Sequence, residues 1–542
     1  MITVIRKETA PVDPYCSLKD THRVHTSTSD EIYTATLNQT DIKKNANKAY
    51  FIQLLVPDSG KDISFLFARW GRVGESGQQQ TKGPFSKAQG EIEFEKQFKS
   101  KTGFHFAARR TAVPKPGKYY WLDIARGGEN DDENGVCGDD NDQQGGQNDD
   151  GGVYDQDQKA VSSASPSRAP TTSPKKRRLS PQQTPSKLSR PVQELAKLIF
   201  NQGLFDATLA EMNYDAKKQP LGSLSKHTIE KGMEKLTLLS DAIKQGTMDN
   251  IDALSDAYYS LIPHIFSRKT RPVPIDNMDI VRNELDILST LSEMKVGFKL
   301  MHNLDDSSTN RLDARIEGLK LSTLEPLERS TNEYQKVCEL VETTHGRTHS
   351  WFNITVGDIF SIEREGESEH FGKQDGDEDG DRRLLFHGSR LANYGGIMSQ
   401  GLRIAPPAAP ANGYAFGRGI YLADVASKSA QYLYHHISNN EGLMLLCEAQ
   451  LGKIVEMKTP NYDAAEVVKA QGGLSTKGLG RTIPAGWADA GDHIAPHLKG
   501  VKVPIGGLRD EDGADTYLQY NEYIVYDESQ VRFRYLMRLT IS

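Results

Sequence analysis

Between Gly127 and Gln158 the chain reads GGENDDENGVCGDDNDQQGGQNDDGGVYDQDQ, a run too acidic and too poor in apolar side chains to offset the entropy of ordering. It continues as SSASPSRAPTTSPKKRRLSPQQTPSK, where Pro, Ser and Thr dominate. Such an insert cannot be threaded through one core, so residues 126–188 read as a disordered linker, acidic then basic, between separately folding parts. The chain has 542 residues, and at about 150 residues per domain that length accommodates three or four domains.

The charge average conceals this asymmetry. Lys plus Arg total 66 against 73 Asp plus Glu, a formal charge of −7, which argues against a uniformly basic nucleic-acid coat protein. Four cysteines, Cys16, Cys137, Cys338 and Cys447, lie far apart with no C-x-x-C spacing, so neither a zinc ribbon nor a dense disulfide framework is expected. A reducing intracellular compartment fits best. The N-terminus lacks a continuous apolar stretch, and no segment approaches the ~20 apolar residues of a membrane span, so no membrane partner is expected. Lys175, Lys176, Arg177 and Arg178, beside Pro174, form a basic tetrad of the kind that nuclear import machinery reads. A solvated charge run or a weak phosphate contact is the plain alternative.

Before the linker, a tail of residues 1–24 precedes a compact unit at 25–125. Tyr50–Val56 and Ser64–Trp70 are rich in aromatic and branched residues and flank the turn signal PDSGKD, which predicts a hairpin. Ser86 with Gln89 forms a capping-box pattern, Ala88, Ile92, Phe94 and Phe98 recur at helical spacing, and Gly103 can close the helix. The unit is thus a small sheet carrying a helix. At 189–309 the apolar period lengthens to three and four: Val192, Leu195, Leu198 and Ile199, then Met233, Leu236 and Ile243, then Leu254, Tyr258 and Leu261. Pro191 suits a first helical turn, Gly246 a C-cap, and a last helix is expected over about Asn277–Leu300. Residues 310–542 turn strand-like, with Val531–Ile541 alternating as a half-buried antiparallel strand would. The fold class expected is multidomain α+β.

Walker A, G-x-G-x-x-G after a strand, and H-E-x-x-H are all absent from the sequence. The informative residues are Leu384-Leu-Phe-His387-Gly-Ser-Arg390, Gly413-Tyr-Ala-Phe-Gly-Arg-Gly-Ile-Tyr421-Leu-Ala-Asp424, Ser427-Lys-Ser429-Ala-Gln-Tyr432 and Tyr520-Asn-Glu522-Tyr-Ile-Val-Tyr-Asp527. In this order they resemble the catalytic domain of the poly(ADP-ribose) polymerases. The preceding helices, with PLGSLSK at 220–226 and YSLIPHIF at 259–266, are similar to that family's regulatory helical domain. The N-terminal unit resembles its WGR domain, the name-giving residues standing as Trp70, Gly71 and Arg72. The closest pattern is that of DNA-dependent members without zinc fingers.

The resemblance implies a diphtheria-toxin-like transferase fold built on antiparallel sheets, with NAD+ as substrate and a His-Tyr-Glu triad of His387, Tyr421 and Glu522. Breaking the nicotinamide glycosidic bond builds an oxocarbenium-like ribose, which a nearby carboxylate stabilises. By resemblance Glu522 takes that role and polarises the acceptor hydroxyl. Tyr421 and Tyr432 are the implied aromatic walls for nicotinamide, and Gly388 and Ser429 the carboxamide contacts. His387 is expected on the adenosine ribose. Ser389, Asn393 and Arg403 match positions binding the adenosine half, Tyr414 lines the NAD+ site, and Lys428 orients Glu522. Neither the chemistry nor the ligand pattern calls for a metal.

Trp70 is either core or a stacking platform for a DNA end, and Lys43, Lys44, Lys48, Arg69, Arg72, Lys82 and Lys87 supply a phosphate-binding face or a solvated basic one. Ala415 and Phe386 stand where relatives often carry methionine and tryptophan, which leaves polymer length open. The acidic run of residues 363–381 reads as a disordered loop. The expected function is nuclear, DNA-break-activated poly(ADP-ribosyl)ation. Its partners are strand breaks with 5′-phosphorylated ends or nicks, and its acceptors are chromatin and repair proteins and the enzyme itself. The alternative is a DNA-end scaffold with weak or single-unit transfer.

Overall fold

The computed structural model describes residues 10–124, 185–213, 224–302, 310–372, 380–511, 513 and 515–542. The linker expectation, apart from residues 185–188, lies outside them, as do Cys137, the tetrad Lys175–Arg178 and the first part of PLGSLSK.

The N-terminal unit is a six-stranded antiparallel sheet of β1 (His22–Val24), β2 (Thr34–Asp41), β3 (Ala46–Pro57), β4 (Ser64–Arg72), β5 (Gln78–Phe85) and β6 (Tyr120–Leu122). The expected hairpin is β3–β4, registered with Tyr50 opposite Trp70. Helix α1 (Lys87–Thr102) starts at Ser86, whose hydroxyl accepts from Gln89 N, and ends at Gly103 in the left-handed region. The capping box is only half made, because the Gln89 side chain donates to Glu93. Its buried face is Gly90, Phe94, Phe98 and Thr102, a strict four-residue repeat, whereas Ile92 falls on the far side and is 50% exposed.

Residues 10–24 are not a loose tail. Gln53 clasps the backbone of Pro11 and Asp13, and β1 pairs with β3. The Asp13 carboxylate meets Arg69 at 2.8 Å with both side chains under 5% exposed. A buried cation requires such a counter-charge, and sequence adjacency gave no sign of one 56 residues away.

The helical region comprises α2 (Arg190–Ile199), α3 (Gln202–Glu211), α4 (Lys226–Gln245), α5 (Ile251–Leu261), α6 (Met278–His302) and α7 (Arg311–Glu317). Gly246 caps α4 with φ 69°. Leu312 and Ile316 of α7 pack with Val192 and Leu195 of α2, so the helical packing continues past residue 309.

Beyond it lie β7 (Leu321–Pro326), α8 (Asn332–Thr343), β8 (Ile354–Arg364), α9 (Glu367–His370), β9 (Arg382–Gly388), α10 (Tyr394–Gln400), β10 (Ile420–Leu422), α11 (Ala426–Ala430), β11 (Glu441–Gln450), β12 (Ile454–Met457), α12 (Ala464–Ala470), β13 (Ser475–Gly478), β14 (Gly480–Asp489), β15 (Lys502–Asp510), β16 (Leu518–Tyr520), β17 (Glu522–Val525) and β18 (Val531–Ile541). They form an eight-stranded sheet, β16-β14-β15-β9-β11-β18-β8-β7, and a four-stranded sheet, β10-β17-β13-β12. Most pairs are antiparallel, but β12–β13, β14–β16 and β15–β9 are parallel, so the sheets are mixed. Strand β18 is central and covered on both faces, not half-exposed: Val531, Phe533 and Leu536 join one core, Tyr535, Met537, Leu539 and Ile541 the other. The acidic run begins ordered, with Glu367 buried and accepting from Phe533 N, while 373–379 lie outside the described residues.

Candidate active site

Strands β9, β10 and β17 come together through two short ladders. Phe386 and Ala423 exchange backbone hydrogen bonds of 2.7 and 3.0 Å, and Tyr421 sits opposite Ile524 in the β10–β17 register. This joins His387 of β9, Tyr421 of β10 and Glu522, the first residue of β17, although 135 residues separate the first from the last.

Each side chain is fixed by its neighbours. His387 Nδ1 donates to the Tyr421 carbonyl at 3.0 Å, which leaves Nε2 with its lone pair. Burial pushes the imidazole down, against that hydrogen bond, so the ring is neutral at physiological pH. The Tyr421 hydroxyl donates to Gly417 O at 2.7 Å and accepts from Phe416 N at 2.9 Å, locking the ring; burial, and more weakly the Glu522 charge, raise its phenol. Tyr432 is 54% exposed, yet desolvation by the groups around it, followed by the Glu522 charge, pushes its phenol up to about 12.

Glu522 pairs with Lys428 Nζ at 2.9 Å, both side chains being about 15% exposed or less. The amine also donates to the carbonyls of Tyr520 and Asn521, at 2.9 and 3.3 Å. Burial pushes Lys428 down while Glu522 holds it up. Behind the pair, fully buried Asp424 accepts from Asn521 Nδ2 at 2.8 Å and Tyr523 OH at 3.0 Å, fixing both residues that flank Glu522. Sequence reasoning quoted Asp424 at the end of its motif without giving it work. Gly388 is required for close approach: a Cβ there would lie 2.0 Å from the Ser429 carbonyl. The Ser429 hydroxyl donates to Phe386 O at 3.1 Å.

The adenosine-side residues divide. Asn393 is buried and donates to Ser389 Oγ at 2.9 Å, and its Oδ1 has no partner among the described residues. Arg403 is occupied, its guanidinium bound to Glu293 of α6 at 2.7 Å. Arg390, which the sequence reading passed over, holds Glu211 of α3 at 2.8 Å and Asp286 of α6 at 2.6 Å while stacking on Tyr434. Tyr414 bonds Ser289 of α6, and burial pushes its phenol up to about 12. Close passage of α6 depends on missing side chains: a Cβ on Gly395 would reach Gly297 Cα at 2.8 Å, and one on Gly413 would strike Leu285. Helix α6 therefore lies along the residues expected to bind NAD+.

The basic face of the N-terminal unit is redistributed. Lys43 pairs with Asp252 of α5 and Lys44 with Asp41, both exposed. Arg69 is buried on Asp13, and Arg72 spends its donors on Asn45 and on the carbonyls of Phe266 and Ser267. Arg69 is thus taken up within the fold, and Arg72 ties the sheet to the segment after α5. Trp70 stacks on Tyr50 at 5.7 Å and is partly exposed. Lys101 lies 4.5 Å over the same Tyr50 ring, and after burial the charges of Lys118, Lys48 and Lys82 push it down. Lys101 and Lys118 were missed because α1 and the segment before β6 meet only in space. No group of three or more His, Cys, Asp or Glu side chains suited to a metal ion occurs among the described residues.

Three family models match: the poly(ADP-ribose) polymerase catalytic domain over residues 331–541, the poly(ADP-ribose) polymerase regulatory domain over 186–315 and the WGR domain over 33–113. The chain is similar to poly(ADP-ribose) polymerase 2-A of Oryza sativa subsp. japonica, 36% identical over 553 residues that cover 100% of this chain and 76% of the relative. It is 35% identical to poly(ADP-ribose) polymerase 2 of Homo sapiens, covering 99% of this chain and 85% of that one.

Proposed function

Because the chain belongs to the poly(ADP-ribose) polymerase family and is an NAD+ ADP-ribosyltransferase, we propose that His387, Tyr421 and Glu522 are its catalytic triad and that α6 restrains the site until DNA binds. The observation that carries this reading is the convergence of the three residues, with Glu522 held by Lys428 and α6 laid along the adenosine-side residues.

In this reading Tyr421 and Tyr432 sandwich the nicotinamide ring, and Gly388 backbone and the Ser429 hydroxyl hold its carboxamide. Neutral His387 accepts from the adenosine ribose through Nε2; Ser389, Asn393 and Arg403 bind that half of NAD+, and Tyr414 borders it. As the C–N bond to nicotinamide breaks, the pair stays with the departing neutral ring and positive charge grows on the ribose. The Glu522 carboxylate stabilises that charge and orients the acceptor hydroxyl, whose oxygen bonds the ribose carbon as its proton passes to the carboxylate. Lys428 keeps Glu522 aimed. The fold is of the diphtheria-toxin type.

Trp70 and Tyr50, ringed by Lys48, Lys82, Lys101 and Lys118, suit a DNA end: stacking for the terminal nucleotide, ammonium groups for its phosphates. Lys43, Lys44 and Arg72 are further phosphate contacts in this reading, and Arg72 also ties the sheet to the segment after α5. The protein then acts in the nucleus at nicks and 5′-phosphorylated ends, modifying chromatin and repair proteins and itself, with domains near residues 25–125, 189–309 and 310–542.

Incorporation of labelled NAD+ with and without a nicked duplex tests this. A DNA-stimulated ladder is expected, and Glu522→Gln should abolish elongation by at least a hundredfold while leaving DNA binding intact. A single labelled band from the unaltered chain would instead support single-unit transfer, and Trp70→Ala with undiminished stimulation would remove the stacking platform.

A further inference from the structure

Glu522 stands where its strand runs out of backbone partners. On one side Ala423 gives both backbone groups to Phe386 of β9, so the β10–β17 register stops at Leu422 opposite Tyr523, one residue short. On the other side the β13–β17 register ends at Glu522 itself, opposite Gly478. Strand ends open more readily than strand centres, yet a displacement of about 1 Å at a reacting group can cost about a hundredfold in rate.

Side chains from one short segment replace the missing ladder. Lys428 reaches the Glu522 carboxylate and the carbonyls of Tyr520 and Asn521. Asp424, in the turn between β10 and α11, grips the same stretch through Asn521 Nδ2 and Tyr523 OH. Asn521 is tied in turn by its Oδ1, which accepts from Gly480 N at 2.9 Å. The Tyr523 hydroxyl accepts from Arg383 Nη1 at 3.2 Å, which turns its own proton toward Asp424. Arg383 shares β9 with His387, Asp424 follows the strand of Tyr421, and Tyr523 neighbours Glu522 on β17. A buried polar chain thus joins the three segments that carry the triad.

Both donors converge on Asp424 Oδ2, while Oδ1 has no partner among the described residues. Burial raises this carboxyl, against the two hydrogen bonds and the charges of Lys428 and Lys477. A fully buried carboxyl with one oxygen unsatisfied is a poor device for stability. What Oδ2 supplies is direction, because the two residues that meet on it bracket Glu522.

We propose that Asp424 is a positioning residue for the transfer: through Oδ2 it fixes Asn521 and Tyr523, and through them the aim of Glu522 at the ribose. It works as a hydrogen-bond acceptor and not as a charge, and it does not touch NAD+. The proposal rests on the reading of Glu522 as the catalytic carboxylate.

Nicotinamide release by the full chain with a nicked duplex tests it. Asp424→Ala should lower kcat at least thirtyfold with KM for NAD+ changed less than twofold, and benzamide, a probe of the nicotinamide pocket, should bind as to the unaltered chain. Asp424→Asn can set its carbonyl at the place of Oδ2 and its amide at that of Oδ1, and should restore kcat to within threefold. An unchanged kcat in Asp424→Ala, benzamide binding lost in step with kcat, or an asparagine no better than alanine would overturn the proposal. If Asp424→Ala does not fold, Tyr523→Phe decides, since it removes one donor and keeps the ring: kcat should fall at least fivefold at unchanged benzamide affinity, and no fall would overturn the proposal. In the Glu522→Gln background Asp424→Ala should cost nothing further, whereas a second loss of the same size would show that Asp424 does not act through Glu522. Full turnover by Glu522→Gln alone would instead remove the triad reading.

Discussion

Where the helices meet the N-terminal sheet, the buried contacts run largely from neutral side chains to backbone carbonyls, and the ion pairs Lys43–Asp252 and Arg268–Glu75 lie exposed at the edge. Asn38 donates to Tyr259 O and Ser260 O at 2.9 and 3.1 Å, and Asn47 to His264 O at 2.7 Å. Where the same helices meet the catalytic region, ion pairs carry much of the polar contact: Arg390 with Glu211 and Asp286, Arg403 with Glu293, and, once protonated, His436 with Glu211, beside the neutral bond of Thr237 to Ala408 O. Helix α6 links the two indirectly, because Glu284 takes Tyr258 OH at 2.7 Å and faces His264, whose carbonyl Asn47 holds, at 3.2 Å, while Asp286 and Glu293 grip arginines. Directional neutral bonds keep their geometry under changing salt, whereas partly exposed ion pairs weaken within a Debye length of about 8 Å at physiological salt. The difference teaches that the first contact is suited to carry a movement and the second to be released by it.

The largest effect should come from erasing the charged contact. Asp286→Asn with Glu293→Gln removes two anions from the arginines, and DNA-independent incorporation of labelled NAD+ should rise tenfold or more; an unchanged basal rate would break the comparison. Glu293 is a soft point, because burial raises its carboxyl above the usual range despite Arg403, and its Oε2 lacks a partner among the described residues.

Asn38→Ala attacks the neutral side. Two buried carbonyls lose a donor, which should cost about 2 kcal/mol and several degrees of Tm. DNA stimulation should fall severalfold, with the basal rate less than doubled. Salt sharpens the contrast more gently: raising NaCl from about 0.05 to 0.5 M should lift basal turnover two- to threefold in the unaltered chain and leave the double variant flat.

The smallest effect is a pH slope at the junction. Asp256 accepts from Ile42 N at 2.7 Å, and burial, opposed by that bond and aided by Asp41 and Asp252, pushes its carboxyl up to about 6. Unfolded, it ionises near the ordinary value of about 4, so folding stability should fall as pH rises from about 4 to about 6. Asp256→Asn keeps the acceptor and should flatten that fall, worth roughly 1 kcal/mol after solvent screening.

What could be read from residues alone followed the range of the interactions. The β3–β4 hairpin and the ends of α1 are set by neighbours within a few positions, and the triad segments are short enough to be recognised as written. Arg69 and Arg72 looked free because their partners, Asp13 and the carbonyls of Phe266 and Ser267, are distant in sequence. Ile92 matched a helical period loosely, but the four-residue repeat through Phe94 and Phe98 set the buried face. Arg390 and Asp424 lay inside quoted motifs, yet only the fold supplies the carboxylates and the asparagine that give them work.

The strap of residues 10–16 also decides where the molecule can be cut. A shortened chain beginning at residue 25, the boundary that periodicity favours, would strand the Arg69 guanidinium beneath Phe51 without Asp13, and would bare Val24's neighbours Leu55 and Phe67. An isolated domain begun there would be weaker for a reason unrelated to nucleic acid, and its failure to bind would be mistaken for a missing contact. Residues 10–24 are therefore part of the N-terminal sheet unit itself.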